Sequence, residues 1–247
     1  MPVEMFPLAE RPDLAPLLGT FHGGWPEFMY GDRVAPLYYD IAQTAFAQYV
    51  LVAPDPDEPT RAAAAAYSVP YTPPPVLPVG GWDAVVVAAI SDRAAGRRGT
   101  QVSALEIMVQ PDLRGRGLAA VVLDAMRRNA ARLGHDTLVA PVRPNGKSDP
   151  FEPMSTYAFR TREDGLPVDP WLRVHVRAGA RIEAVAPRSM LIAGTLAEWR
   201  EWTGLPFDRP GPVRVPRALA PVHCDPDQDS AVYVEPNVWV RHSLNQR

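Results

Sequence analysis

The chain has 247 residues, of which 47% are hydrophobic and 21% are charged, and its formal net charge is −3. This length suffices for one large domain or two small ones, while the single cysteine, Cys224, excludes an internal disulfide framework and a zinc site built from several cysteines. The mildly acidic balance, without a basic block, argues against nucleic acid as a partner. No apolar run reaches the roughly 18 to 20 residues that span a bilayer, and the N-terminus lacks the features of a secretory signal. We therefore expect a cytoplasmic protein with no membrane partner.

The first regular elements predicted along the chain are two strands and a helix. Residues 48–53 read as a strand, which ends in the turn-rich segment 54–59. Residues 62–71 are its predicted hairpin partner, because their last residues alternate in the period of a strand. Prolines make 71–81 unlike regular structure, since proline fixes φ and removes a donor. A helix is predicted over 82–95.

The centre of the chain gives the clearest pattern. Gln101–Val109 is a predicted strand, and the Gly-containing turn 114–117 follows it. A helix is predicted over 118–133 from its apolar period, with Gly134 as its C-cap, and 136–142 is another strand. This order of strand, turn, helix and strand indicates a βαβ unit.

The C-terminal third contains shorter elements. We predict a helix over 170–180, strand pieces at 181–185 and 189–192, a helix over 195–203 that begins with a capping-box pattern, and a last strand over 231–240. The chain has no internal repeat and no linker long enough to separate two domains. We therefore expect residues 1–247 to form a single domain.

The turn at 114–119 is the segment whose chemistry is most specific. Backbone N–H groups at the start of a helix are unpaired and lie at the positive end of its dipole. Gly115 and Gly117 allow close approach of an anion, and Arg114 and Arg116 add positive charge. The turn therefore predicts a phosphate or pyrophosphate site. The alternative is a plain turn flanked by two solvated arginines.

A known motif covers the same turn. Arg114, Gly117 and Ala119 match the pattern (Gln/Arg)-x-x-Gly-x-(Gly/Ala). The preceding strand ends in Met-Val-Gln-Pro at 108–111, which is similar to the V-x-P sequence found before that motif. Over about residues 48–185 the chain therefore resembles the GNAT superfamily of N-acetyltransferases.

This resemblance implies a fold. GNAT proteins are α/β proteins with a mixed, mostly antiparallel central sheet flanked by helices. We expect a GNAT-like core at 46–195, carrying one insertion, and family-specific extensions at 1–45 and 196–247, the second being a C-terminal extension.

The resemblance also implies acetyl-CoA or another acyl-CoA as cofactor. In the family, amides of the motif bind the pyrophosphate, and backbone groups of the preceding strand pair with the pantetheine arm. An asparagine commonly follows the next strand. The expected contacts here are Met108, Val109, Arg114, Gly115, Arg116, Gly117, Leu118, Ala119 and Asn145.

The family's general acid is a tyrosine four residues before a Gly-Phe pair, and this chain departs from that pattern. Gly179 and Ala180 take the place of the pair, and His175 takes the place of the tyrosine. Histidine, with an ordinary pKa near 6.5, is a competent proton donor near neutrality. The alternatives are that His175 packs in a core or that Tyr157 is the acid. The inserted segment 146–170 is read either as part of an acceptor pocket or as a surface loop.

Glu106 is the candidate general base. Val102, Ala104, Glu106 and Met108 are expected to share one face of their strand, which would partly bury the acid among apolar residues and raise its pKa. A carboxylate paired with an arginine is the alternative.

The function that the resemblance implies is an acyl-CoA-dependent N-acyltransferase, acetyl-CoA being the default donor, which moves the acyl group to a small-molecule amine by direct attack. Two other classes stay open: a non-catalytic acyl-CoA-binding protein, and related thioester chemistry such as decarboxylation or transfer linked to an acyl-carrier protein. No metal is expected, and a homodimer is left open.

Overall fold

A nine-stranded sheet runs through the part of the chain that the computed structural model describes, residues 3–21 and 24–244. Its order is β1-β2-β3-β4-β5-β9-β8-β7, and β6 pairs with the other edge of β9. The β4–β5 pair is parallel and the other pairs are antiparallel, so the prediction of a mixed, mostly antiparallel sheet is confirmed. The strands are β1 (Phe6–Pro7), β2 (Val50–Pro54), β3 (Ala62–Tyr71), β4 (Gln101–Val109), β5 (Thr137–Val142), β6 (Arg181–Gly194), β7 (Gly211–Val213), β8 (Val222–Asp225) and β9 (Ser230–Ser243).

Helices cover both faces of this sheet. Side chains from α1, α2 and α6 join one core, on what is here named the α1 face, and side chains from α3, α4 and α5 join the other, on the α3 face. No helix within the described residues is long and apolar enough to cross a membrane. The helices are α1 (Ala35–Ala45), α2 (Gly81–Ala94), α3 (Leu118–Arg132), α4 (Met154–Tyr157), α5 (Pro170–Arg177) and α6 (Leu196–Thr203).

Most predicted elements are found, and the differences have local causes. The strands predicted at 62–71 and 101–109 have the observed bounds, whereas the start of 48–53 is a 3-10 turn, Ala47–Tyr49. The two pieces 181–185 and 189–192 form one strand, β6, because register shifts against β9 accommodate the residues between them. The predicted strands at 136–142 and 231–240 are β5 and β9.

The four predicted longer helices are α2, α3, α5 and α6, each within three residues of its predicted bounds. The capping box of α6 is present, between Thr195 and Glu198. Helix α1 lies where no element was predicted. Its start is fixed by Asp32, whose carboxylate accepts hydrogen bonds from the backbone N–H groups of Val34 and Ala35 at 2.6 and 3.0 Å.

A bulge in β4 decides which way Glu106 faces. Ala104 lies opposite Ser68 and Glu106 lies opposite Tyr67, so Leu105 is an extra residue in the ladder. Ala104, like Val102 before it, therefore packs on the α3 face, while Leu105, Glu106 and Met108 face the α1 side. The prediction that Val102, Ala104, Glu106 and Met108 share a face is wrong, because the bulge interrupts the two-residue period.

The strands β4 and β5 separate towards their C-terminal ends. Their backbone pairing is limited to Val102 with Leu138 and Ser103 with Val139. Beyond those positions β4 stays paired with β3 and β5 stays paired with β9. The opening between residues 104–109 and 140–142, here named the wedge, leaves one backbone edge of each strand available to a ligand.

Candidate active site

The turn before α3 is shaped by its two glycines. Gly115 and Gly117 both have φ of +79°, a backbone conformation that side chains other than glycine rarely adopt. A Cβ atom added to either would meet no atom within 4 Å, so the conformation and not crowding requires glycine. Gly117 is the N-cap of α3 and provides no side chain to cap it, which leaves the first N–H groups of the helix available.

Two arginines lie over this turn. The Nε of Arg114 donates a hydrogen bond to the carbonyl of Val109 at 3.3 Å, and Arg116 donates to the carbonyl of Asp112 at 3.3 Å. Both side chains are exposed. The turn therefore joins exposed positive charge to free backbone donors at the end of β4, as an anion site requires.

The other predicted cofactor contacts lie on the two sides of the wedge. Met108 and Val109, both half-buried, form the end of β4, and Asn145 is exposed in the loop after β5. Leu118 is buried and Ala119 half-buried in the first turn of α3. The structure thus brings these positions to one end of the β4–α3–β5 unit, and the contact made by each with a cofactor stays a prediction.

Glu106 lies on the α1 face, held by two donors. Its Oε1 accepts a hydrogen bond from Trp25 Nε1 at 2.5 Å, and its Oε2 accepts one from the Tyr39 hydroxyl at 2.7 Å. Burial raises the pKa of Glu106 above its ordinary value, and the two hydrogen bonds oppose that rise. The Tyr39 ring contacts the rings of Tyr67 and Trp82, so the carboxylate stands among aromatic side chains. A half-buried carboxylate whose pKa is raised by burial is a stronger base than an exposed one.

Arg143 lies on the other side of Trp25. It follows directly after β5, and its guanidinium carbon is 5.9 Å from the centroid of a Trp25 ring. Its Nε donates to Oε2 of Glu235 at 2.9 Å, and its Nη2 donates to the carbonyl of Arg217 at 2.7 Å. The Trp25 indole thus contacts the Glu106 carboxylate at its N–H edge and the Arg143 guanidinium over its face.

Glu235 fixes Arg143 from the core. It is fully buried and also accepts hydrogen bonds from the Tyr233 hydroxyl and from Asn237 Nδ2, each at 3.0 Å. Because both of its oxygens are satisfied, this carboxylate is a rigid support for the guanidinium.

His175 is placed elsewhere. It projects from α5 on the α3 face and is 1% exposed, with its Nδ1 3.0 Å from Nε2 of His242. The outer ring nitrogens, Nε2 of His175 and Nδ1 of His242, are buried without a hydrogen-bond partner. Burial lowers the pKa of His175 to about 3 and that of His242 to about 4. The structure therefore does not bring His175 together with Glu106.

The rival acid, Tyr157, belongs to a buried network around Asp169. Its hydroxyl donates to Asp169 Oδ2 at 2.9 Å, and the N–H of Gly146 donates to the same oxygen at 2.8 Å. The other oxygen of Asp169 caps α5 through the N–H groups of Trp171 and Leu172, both at 2.9 Å. The insertion is thus anchored at both ends, and its buried side chains pack on the α3 face rather than beside Glu106.

Four residues of this site were missed by sequence reasoning. Trp25 and Tyr39 lie in the N-terminal 40 residues, where no element was predicted and no pattern indicates a shared site. Arg143 and Glu235 carried usable signals, because one follows a predicted strand of the βαβ unit and the other is an acid within an apolar strand.

Comparison with known proteins was made for the whole sequence. No protein-family model matches it. Arginine N-acetyltransferase avaD of Aspergillus versicolor is 34% identical over an alignment of 248 positions. The alignment covers 90% of this chain and 86% of that protein.

Two solved structures share the fold. The loading GNATL domain of CurA from Lyngbya majuscula aligns with a TM-score of 0.63 and 19% identity, over 100% of this chain and 98% of that one. The GphF GNAT-like decarboxylase in complex with isobutyryl-CoA aligns with a TM-score of 0.56 and 18% identity, over 99% of this chain and 100% of that one.

Proposed function

This chain is an acyl-CoA-dependent N-acyltransferase of the GNAT superfamily, and we propose that the amine it acylates belongs to arginine or a related basic amino acid. The acceptor is suggested by the activity for which avaD is named. The observation that carries the proposal is the half-buried carboxylate of Glu106, which lies on the strand beside the wedge and is held by the aromatic donors Trp25 and Tyr39 rather than by an arginine.

The donor fits the wedge and the turn before α3. The free N–H groups at the start of α3, with the exposed guanidinium groups of Arg114 and Arg116, suit the pyrophosphate of coenzyme A. The unpaired edge of β4 suits the amides of the pantetheine arm, because a free strand edge pairs with an extended chain. Val109 presents its backbone groups to that edge, whereas Met108, one residue earlier, presents its backbone groups to β3. The thioester would then reach the wedge beside Glu106.

The chemical step needs a neutral amine, which Glu106 supplies by accepting a proton. The amine nitrogen attacks the thioester carbonyl, a new N–C bond forms, and the C–S bond breaks with its electron pair on sulfur. Glu106 takes the first proton of the ammonium group, directly or through water, and the second proton, which the nitrogen loses as the C–S bond breaks, passes through solvent to the departing thiolate. A raised pKa helps a carboxylate in this role, since it makes the group a stronger base.

His175 has no part in this proposed step. It lies behind the opposite face of the sheet, and a ring with its pKa lowered to about 3 carries no dissociable second proton at neutral pH. We assign it a structural role in the α3-face core.

The test begins with calorimetric binding of acetyl-CoA and longer acyl-CoAs to the purified protein, with Arg114→Glu/Gly117→Asp as the control. We expect micromolar binding that the control loses, because the new carboxylates repel the pyrophosphate and block the turn. Release of free thiol is then followed with and without arginine.

Each alternative function has its own outcome in these assays. Release of free thiol from acyl-CoA that depends on added arginine supports the proposal. Binding of acyl-CoA with no release of free thiol, whichever amine is added, would identify a non-catalytic acyl-CoA-binding protein. Acyl-CoA consumed equally with and without acceptor would identify decarboxylation or another reaction of the thioester alone. No binding of any acyl-CoA would overturn the proposal.

A further inference from the structure

We propose that Arg143 binds the α-carboxylate of the acceptor and so restricts the enzyme to α-amino acids. This inference rests on the proposed function, because it names the part of the acceptor that the site beside Glu106 recognises. It assigns to Arg143 the specificity of the site and leaves proton removal to Glu106.

The first support is that Arg143 is held in place with part of its guanidinium unused. Its Nε and Nη2 are engaged by Glu235 and by the carbonyl of Arg217. Within residues 3–21 and 24–244 the Tyr233 hydroxyl also lies near the guanidinium, and none of the hydrogen bonds found there starts from Nη1. A planar guanidinium fixed by two of its nitrogens offers its remaining N–H groups to a carboxylate without further loss of side-chain entropy.

The second support is that Arg143 is partly accessible while its partner is not. The Arg143 side chain keeps 18% of its exposure, whereas the Glu235 side chain keeps none. Glu235 also has Tyr233 and Asn237 as donors, so neutralising Glu235 does not use the whole guanidinium.

The third support is the position of Trp25 between base and guanidinium. The indole donates its N–H to Glu106, and its ring is the one near which Arg143 lies. An α-amino acid carries its amine and its carboxylate on one carbon atom, so it presents the two groups close together. With the amine towards Glu106 and the carboxylate towards Arg143, each charge of the acceptor meets its opposite.

The same charges argue against the reverse orientation. A guanidinium or second ammonium group of the acceptor placed at Arg143 would meet a like charge in a partly desolvated site, which is unfavourable. We therefore expect the acyl group on the α-nitrogen of arginine and not on its side chain.

The experiment compares arginine with agmatine, which has the same guanidinium and a primary amine but no carboxylate. For the unaltered enzyme we expect kcat/KM about 10- to 100-fold higher for arginine, the range that a charge-assisted hydrogen bond supports. In Arg143→Met this preference should fall to near unity through loss on arginine, and Arg143→Lys should keep part of it. Mass spectrometry locates the acyl group.

The controls separate recognition from folding. Arg181→Met removes an 80% exposed arginine that pairs with Glu183, and it should leave the preference unchanged. Because Arg143→Met alone leaves Glu235 buried without its cation, Arg143→Met/Glu235→Gln is measured beside it. Acetyl-CoA affinity reports whether each variant keeps its donor site.

Three results would overturn the inference. They are equal use of arginine and agmatine by the unaltered enzyme, an equal loss on both acceptors in the Arg143 variants, and acylation of the guanidinium. Absence of transfer to either amine, with acetyl-CoA still bound, would instead overturn the proposed function and this inference with it.

Discussion

Glu106 and the pair of His175 and His242 are both titratable groups set against one sheet, but on opposite faces and in opposite environments. The carboxylate accepts a hydrogen bond on each oxygen, and Glu106 is half-buried. The two rings contact each other, are at most 1% exposed, and leave a nitrogen of each without a partner. Burial disfavours the charged form in both places, and the hydrogen bonds from Trp25 and Tyr39 support the charged form of Glu106. A group that must gain and lose a proton needs the first environment, and a group that fills a core needs the second.

The largest test of this contrast is Glu106→Gln. The amide keeps the size of the side chain but cannot accept the amine's proton, so we expect kcat/KM to fall about 10²- to 10⁴-fold, the usual contribution of a general base. Steady-state kinetics with acetyl-CoA and arginine measures it, and acetyl-CoA binding should be retained. The matched variant His175→Gln should change kcat/KM by less than about threefold once the folded fraction is taken into account. A larger loss for His175→Gln than for Glu106→Gln would reverse the contrast.

A smaller effect is expected for Tyr39→Phe, which removes the donor to Glu106 Oε2. That hydrogen bond lowers the pKa of Glu106, so its loss should raise the pKa further. The base is active only when deprotonated. The acid limb of the pH–rate profile should therefore move to higher pH by about one unit, the equivalent of one hydrogen bond to a charged group.

Tyr38→Phe is the matched control for that shift. The neighbouring hydroxyl is also buried, but it donates to the carbonyl of Ser68 at 2.9 Å and not to Glu106. The variant should lose stability without moving the acid limb. An equal shift in both variants would attribute the effect to a general change in the aromatic cluster.

The sequence predicts the scaffold of this enzyme better than its acceptor site, for a physical reason. The βαβ unit and the turn at 114–119 are local, so apolar period and glycine placement identify them. The proposed acceptor site is assembled from Trp25, Tyr39, Glu106 and Arg143, which are far apart in the chain. The face occupied by Glu106 depends on a one-residue bulge, and the hydrophobic pattern of β4 does not reveal it. Likewise, His175 fits the family's motif by position alone.

The smallest expected effect on the rate concerns the histidine pair, whose contribution is measured in stability instead. An ordinary histidine has a pKa near 6.5, and in the folded protein the pKa is lowered to about 3 for His175 and about 4 for His242. Between those values the unfolded chain binds more protons than the folded one, so stability is lost as pH falls below about 6.5. From pH 7.5 to 5.0 each ring should account for about 2 kcal/mol of that loss, and the pair for about 4 kcal/mol.

His175→Leu/His242→Leu replaces both rings by apolar side chains and should remove this part of the pH dependence, because nothing remains there to protonate. Thermal unfolding at pH 7.5 and 5.0 measures it, with His223→Gln, an exposed histidine on β8, as a control that keeps the full loss. An unchanged pH dependence in the double variant would mean that the pair is protonated in the folded state, contrary to its burial. If the contrast between the faces holds, Tyr39→Phe moves the pH dependence of the rate and changes the stability difference between pH 7.5 and 5.0 by no more than about 1.4 kcal/mol, the linkage of one pKa unit. The double leucine variant does the opposite, since the two titrations belong to groups on different sides of the sheet.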